Sequence, residues 1–221
     1  MKILFFPFLL FSFVTLAQKI EVGAGIGGLH YKGDISPNFH PSFVKPGANI
    51  FFRYNLSRSM SFKAQGMIGG FGADETKVND PLNQARGMSF TTKVAEAGIQ
   101  AEYNFLTYKN TRQSRNFSPY LFAGVALAST RSTNSVTGTT DRLPLVIPFG
   151  VAMKGQIRGS WGWGAEFGTR KTFSDYLDNF GQDSFPNSQN RLSQADYTSK
   201  DMYYFTTFSI SYTFYKVVCP D

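Results

Sequence analysis

The sequence predicts an all-β fold: an eight-stranded antiparallel up-and-down β-barrel that spans a membrane. Three observations carry that expectation. Long segments alternate apolar and polar residues with a period of two, the signature of strands with one oily and one wetter face. Beyond the N-terminus, no segment approaches the roughly 18 consecutive apolar residues of a transmembrane helix. The connections alternate between short and long, as in barrels with short turns on one side of a membrane and longer loops on the other.

Met1-Lys2 gives a positive start, Ile3 to Leu16 an apolar run, and Thr15-Leu16-Ala17 small residues at a cleavage position. Residues 1–17 read as a secretory signal cut before Gln18, which leaves residues 18–221 as one barrel domain. The alternative is an apolar first helix of a soluble domain. No cysteine lies near the cut, so lipoprotein processing is not expected. The chain carries 23 Phe and 11 Tyr, an aromatic load that girdles at two membrane interfaces account for. Mean hydropathy is slightly negative, because outward apolar and inward polar residues average out. The lone Cys219 excludes an internal disulfide framework. A net charge of +7, less one with the loss of Lys2, raises nucleic-acid binding. The basic residues are scattered, however, and no basic helix or nucleic-acid motif appears.

In strand one, Ile20, Val22, Ala24 and Ile26 face out and Glu21, Gly23, Gly25 and Gly27 face in. GAGIGG is no dinucleotide loop, since no helix pattern follows it. Ile35 to Pro46 is a loop. Strand two, Gly47 to Leu56, sets Ala48, Ile50, Phe52 and Tyr54 out, with Asn49, Phe51, Arg53 and Asn55 in. Ser57 to Ser59 is a tight turn. Strand three begins at Met60 with Lys63 and Gln65 inward, and Gly72 to Ser89 is a polar loop. Strand four, Ala95 to Phe105, points Glu96, Gln100 and Glu102 in; the broken phase at Thr91 to Lys93 predicts a bulge or loop rim. Leu106 to Ser118 is a basic turn, long for the short-turn side. Strand five, Pro119 to Ser129, is apolar on both faces, and Thr130 to Pro144 reads as a loop. Strand six, Leu145 to Ile157, carries Lys154 inward and Pro148 at a predicted kink. Arg158 to Ser160 turns into strand seven, Trp161 to Arg170, with Glu166 and Arg170 inward. After a long polar loop, Lys171 to Lys200, strand eight runs from Asp201 to Phe214 and closes the sheet on strand one. Lipid demands such closure, because it leaves no open edge.

The main architectural rival is a soluble lipocalin-type barrel with an apolar cavity and a wet exterior. About one charge per strand, set among glycines, fits a narrow interior better. That inward set is Glu21, Arg53, Lys63, Glu96, Glu102, Lys154, Glu166 and Arg170, four acids and four bases. Buried charges must pair, so the set reads as an electrostatic plug; a proton or ion path is the alternative. Glu96 with Glu102 could suggest acid–base chemistry, but a filled lumen admits no substrate. His30 and His40 are the only histidines. His30 with a loop serine and Asp34 could form a hydrolytic triad, though no local pattern supports it. Two His with Cys219 make a poor metal site, because Cys219 falls at the opposite end. No catalytic residue, metal or cofactor is expected.

Several words recur in order: Tyr31-Lys32-Gly33-Asp34; Arg53-Tyr54-Asn55; Ser118-Pro119-Tyr120-Leu121-Phe122-Ala123-Gly124-Val125; Ile147-Pro148-Phe149-Gly150-Val151; the run from Glu166 through Arg170-Lys171-Thr172 to Asp175-Tyr176-Leu177-Asp178; and Ile210-Ser211-Tyr212-Thr213-Phe214 followed by Cys219-Pro220. Over nearly the whole mature chain this set resembles the PorG-like outer-membrane barrels of Bacteroidetes. The resemblance implies a component of the type IX protein secretion system, which in some species also serves gliding. It implies a place among outer-membrane lipids of a Gram-negative cell, associated with a periplasmic ring built from a lipoprotein and its partner subunit. With both termini periplasmic, the candidate contact surface is the turn bearing Lys109, Arg112 and Arg115, together with the tail that holds Cys219. A merely solvated turn, or one lying against anionic head groups, is the alternative. A structural or adhesive barrel without a secretion role also remains open.

Overall fold

The structure, a computed structural model, describes residues 19–32, 43–74, 89–106, 116–134, 138–172 and 202–214. The signal segment, Asp34, His40, the basic turn with Lys109, Arg112 and Arg115, the 173–178 stretch and Cys219 lie outside the described residues.

The strands are β1 (Lys19–Lys32), β2 (Lys45–Asn55), β3 (Met60–Asp74), β4 (Ser89–Asn104), β5 (Phe117–Asn134), β6 (Gly138–Arg142), β7 (Leu145–Arg158), β8 (Trp161–Thr172) and β9 (Met202–Phe214). All pairings are antiparallel. The sheet runs β4-β3-β2-β1-β9-β8-β7-β5, and a β4–β5 ladder closes it into an eight-stranded barrel. Closure of first on last strand pairs Ile20 with Phe214 and Lys32 with Met202. Period-two alternation runs through the sheet: in β9 the odd residues from Tyr203 to Thr213 are buried, and the even ones from Thr206 to Phe214 are exposed.

Two features depart from the sequence expectation at the end where the long connections leave. Thr130 to Pro144 is not a loop throughout. β5 continues to Asn134 and pairs with β6, so that Thr130 opposes Arg142. β6 and β7 are successive partners of the same strand, separated only at Leu143-Pro144. Nor is there a bulge at Thr91 to Lys93. The β3–β4 register runs unbroken from Met60↔Tyr103 to Asp74↔Ser89. What changes there is chemistry: the inward face turns from Glu96 to Val94 and Phe90, both buried. β3, β4, β5 and β6 therefore rise together as a wall beyond the rest of the barrel.

Pro148 does not shift the register. It pairs with Arg170 in a β7–β8 ladder that is continuous from Val146↔Thr172 to Gln156↔Gly162, while the β5–β7 ladder lacks pairs between Ala123↔Phe149 and Ala126↔Val146. The missing N–H of the proline falls on the β5 side, where it costs ladder bonds without bending the sheet out of register. The one register shift in β7–β8 lies between Gln156 and Arg158. It precedes a two-residue turn at Gly159, whose φ of 57° suits glycine.

Candidate functional site

The outer surface is inverted relative to a water-soluble protein. Ile26, Ile50, Ile68, Ile99 and Phe208 are each more than 60% exposed. Exposed charges occupy two rims: Lys93, Arg131, Asp141, Arg142 and Lys171 at the long-connection end, Arg58 and Arg158 at the short-turn end. Between the rims, no outward-facing described residue is Asp, Glu, Lys or Arg. On β4 this uncharged stretch covers roughly ten residues. At about 3.4 Å per residue and a tilt of about 40° it stands about 25 Å tall, matching the apolar band of an outer-membrane barrel. The short-turn end adds an aromatic collar. Tyr103 meets Phe105 edge-on at 5.4 Å, and Tyr212 meets Trp161 at 5.3 Å and Phe214 at 5.0 Å.

All eight charged residues expected to face inward are buried. They do not form one set. Six make a network near the short-turn end. The Arg53 guanidinium donates to Glu21 at 2.5 Å and, through Nε, lies 2.9 Å from a Glu102 oxygen. Lys154 Nζ is 2.7 Å from Glu102. Lys63 Nζ donates to both oxygens of Glu166, at 2.6 and 2.8 Å, and lies 3.7 Å from Glu102. Three carboxylates thus face three cations, and the cluster is neutral within itself. The other two, Glu96 and Arg170, sit apart, with Nε 3.7 Å from the carboxylate.

Two tyrosines that the sequence reading did not select complete these clusters. Tyr120 donates its hydroxyl proton to Glu166 at 2.6 Å, and Tyr203 donates to Glu96 at 2.6 Å. Their signal was parity: both are large, hydroxylated residues on an inward phase whose counterparts in neighbouring strands are charged. Aromatic faces supply further contacts to the cations. Arg53 lies 4.8 Å from the Phe51 ring centre, Lys154 4.5 Å from Tyr120, and Arg170 5.1 Å from Phe205; such contacts contribute about 0.5–2 kcal/mol each. Gly23 is needed for the Phe51 platform, because a Cβ there would collide with the ring and with the Ile210 carbonyl.

Topology turns these contacts into a seal. Around the closed sheet, β3 and β8 stand four places apart, as do β4 and β9. Lys63–Glu166 therefore bridges the full diameter at one height, and Glu96–Tyr203 bridges it at another. Beyond the second bridge, Leu29, Tyr31, Phe71, Phe90 and Phe205 close an apolar plug, with Phe71 stacked on Tyr203 at 5.1 Å. Desolvation of the charges is offset chiefly by this mutual pairing, since each lost partner would leave a buried charge uncompensated.

His30 is buried at the long-connection end and stacks on Tyr204 at 6.2 Å. The expected pair Glu96 and Glu102 belongs to separate clusters, each carboxylate with its own partners. Among the described residues, no three of His, Cys, Asp and Glu are placed to hold a metal ion.

The model of the family DUF6089, a domain of unknown function, matches residues 1–220, and the chain belongs to that family. No curated protein matches the sequence. Among solved structures, the chain resembles Ail, the attachment invasion locus protein of Yersinia pestis, in complex with the heparin analogue sucrose octasulfate. The TM-score is 0.50 at 10% identity, over 90% of this chain and 100% of that one. It also resembles the N-terminal β-barrel domain of OprF from Pseudomonas aeruginosa, with a TM-score of 0.50 at 13% identity, over 89% and 97%. At these identities the likeness establishes the fold, a closed eight-stranded antiparallel barrel.

Proposed function

We propose that this member of the DUF6089 family is an outer-membrane barrel of a Gram-negative bacterium that acts through its two ends and not through its lumen. The observation that carries this reading is the combination of an uncharged apolar belt outside with two polar bridges across the diameter inside. A belt of that height suits a bilayer, and a lumen filled by paired side chains conducts neither solute nor substrate. The role is non-catalytic: the buried carboxylates are engaged by Arg, Lys and Tyr donors, and the cleft that reaches Glu21 and Lys154 has room for about one water and not for a substrate.

Within that frame, the resemblance to PorG-like barrels supports a role in the type IX secretion machinery. The barrel would be the membrane partner of the periplasmic lipoprotein ring. The connection between β4 and β5, with Lys109, Arg112 and Arg115, leaves and re-enters the barrel at the end where β1 begins and β9 finishes. With both termini periplasmic, it faces the ring. The test is affinity isolation of the tagged protein from detergent-solubilised outer membrane, followed by mass spectrometry. Recovery of the ring lipoprotein and its partner, lost when Lys109, Arg112 and Arg115 are changed to Glu, supports role and surface together. Recovery without that loss keeps the role and rejects the surface. A barrel isolated without periplasmic partners rejects the role.

The raised β3–β6 wall favours a second reading, a structural or adhesive barrel acting from the opposite end. Removal of residues 131–142 with export intact and attachment lost would select it.

A further inference from the structure

The apolar belt is not uniform. On the sector formed by β9, β1, β2 and β3 it carries a groove of about 880 Å³, floored by Pro46 and Ala48, walled by Ile26, Phe208 and Ile68, and headed by Lys93. A second groove of about 500 Å³ runs on the other side of Ile68, between Ala48, Ile50, Ala95, Ala97 and Leu127. Ile68 is thus a ridge between two open apolar troughs on the lipid-facing surface. Small residues make the depressions: in register, Ile26 pairs with Ala48, Ala48 with Ile68, and Ile68 with Ala95.

At the long-connection rim of the same sector stand two lysines. Lys93 is exposed and faces outward. Lys45, the first residue of β2, crosses the glycines of β3 to reach β4. Its Cδ lies 3.8 Å from where a Gly70 Cβ would be, its Nζ 3.0 Å from where a Gly72 Cβ would be, and Nζ donates to Thr91 Oγ1 at 2.9 Å. Thr91 and Lys93 share a face of β4, so Lys45 docks on that strand two residues from Lys93. Neither has an acidic partner among the described residues, whereas neighbouring Arg131 is held by Asp141 at 2.7 Å. Two ammonium groups above two apolar troughs match the anatomy of one lipid: an anionic head with at least two acyl chains.

We propose that this sector is a binding site for a phosphate-bearing anionic lipid of the leaflet at the long-connection end. The phosphate lies between Lys45 and Lys93, and the chains lie on either side of Ile68. Charge complementarity chooses the occupant. A zwitterionic lipid brings its own cation to the head site, and a protein segment would have to replace the whole annular contact. The inference rests on the membrane reading above and specifies which lipid the barrel selects.

The experiment is native mass spectrometry of the full barrel released from nanodiscs of equal parts phosphatidylglycerol and phosphatidylcholine with identical chains. Incorporation into the disc is verified first, so failure to insert rejects the membrane reading itself. For inserted protein, the expected result is preferential retention of phosphatidylglycerol, about one molecule per barrel. Retention should fall at least tenfold in Lys45→Gln/Lys93→Gln, and should fall for both lipids in Ala48→Phe, which fills the first trough. Equal retention of the two lipids, or selectivity unchanged in the double lysine variant, overturns the proposal. Ile99→Phe, on the belt away from the first trough, controls for folding; loss of selectivity there also overturns it.

Discussion

Lys63→Met removes the bridge that spans the barrel nearer its short-turn end. The wild-type ammonium lies 2.6 and 2.8 Å from the two Glu166 oxygens and 3.7 Å from Glu102, all fully or nearly fully buried. Methionine keeps the stem volume and removes the charge, which leaves Glu21, Glu102 and Glu166 facing only Arg53 and Lys154 within the cluster. Taking one partner from a buried pair costs about 3–5 kcal/mol, roughly a 10²- to 10⁴-fold shift in the unfolding equilibrium. The second variant, Lys63→Met/Glu166→Gln, restores balance at two carboxylates and two cations, and the amide carbonyl it places at position 166 can still accept the Tyr120 proton. It should recover about 2 kcal/mol of the single-variant loss, a coupling of the size expected for contacting residues. The assay is urea unfolding of vesicle-inserted barrel, followed through the fluorescence of Trp161 and Trp163. A loss below about 1 kcal/mol in Lys63→Met is incompatible with an uncompensated buried charge. A double variant equal to the sum of the two singles is equally incompatible with a direct Lys63–Glu166 pair.

Gly23→Ala should destabilise by about 1–3 kcal/mol through collision with Phe51 and the Ile210 carbonyl, read by the same unfolding assay, with Gly66→Ala as a mild control because its nearest neighbour would sit 3.8 Å away. Ile99→Lys places a charge in the middle of the belt and should cost about 2–4 kcal/mol of membrane insertion, measured as the fraction folded into vesicles; no penalty would contradict the assigned lipid face. The β5–β6 hairpin should loosen in acid. The Arg131 hydrogen bond holds the Asp141 carboxyl below its ordinary value. A depressed acid stabilises the folded hairpin above the unfolded pKa, and that stabilisation is lost as pH falls through the folded one. Protection of the Thr139 and Thr140 amides, taken relative to their intrinsic exchange at each pH, should therefore fall below the usual carboxylate range, and Arg131→Gln should flatten the profile; an unchanged profile would show that the pair has no part in it.

What was legible in the sequence was whatever depends on parity. Alternation in β9 or β4 reports inside and outside residue by residue, so each of the eight inward charges could be named from its phase alone. The division of those charges could not. Lys63 meets Glu166 and Glu96 meets Tyr203 across the diameter, and such contacts depend on shear and closure, which no local pattern encodes. The extension of β4 back to Ser89 and of β5 to Asn134 was hidden for a different reason. Alternation marks a strand only while its two faces meet different media. Past the belt, Thr91, Lys93, Arg131 and Thr133 face water, while the buried phase mixes Phe90 and Val94 with Thr92, Thr130 and Ser132, so both faces carry polar residues and the segment reads as a loop. Pro148 marks the place where β5 and β7 lose two ladder pairs: a proline inside a strand is tolerated where its lost N–H points at one neighbour only, and sequence alone does not say which neighbour that is.

A membrane barrel sealed by its own side chains should pass no current. Conductance across planar bilayers containing the purified protein decides the matter, with insertion confirmed by protection of the belt from added protease. The wild-type chain should give no unitary current steps, because Lys63–Glu166 and Glu96–Tyr203 block the lumen at two heights. Regular steps that persist as protein purity rises would contradict the seal and turn the same charged residues into the lining of a pore.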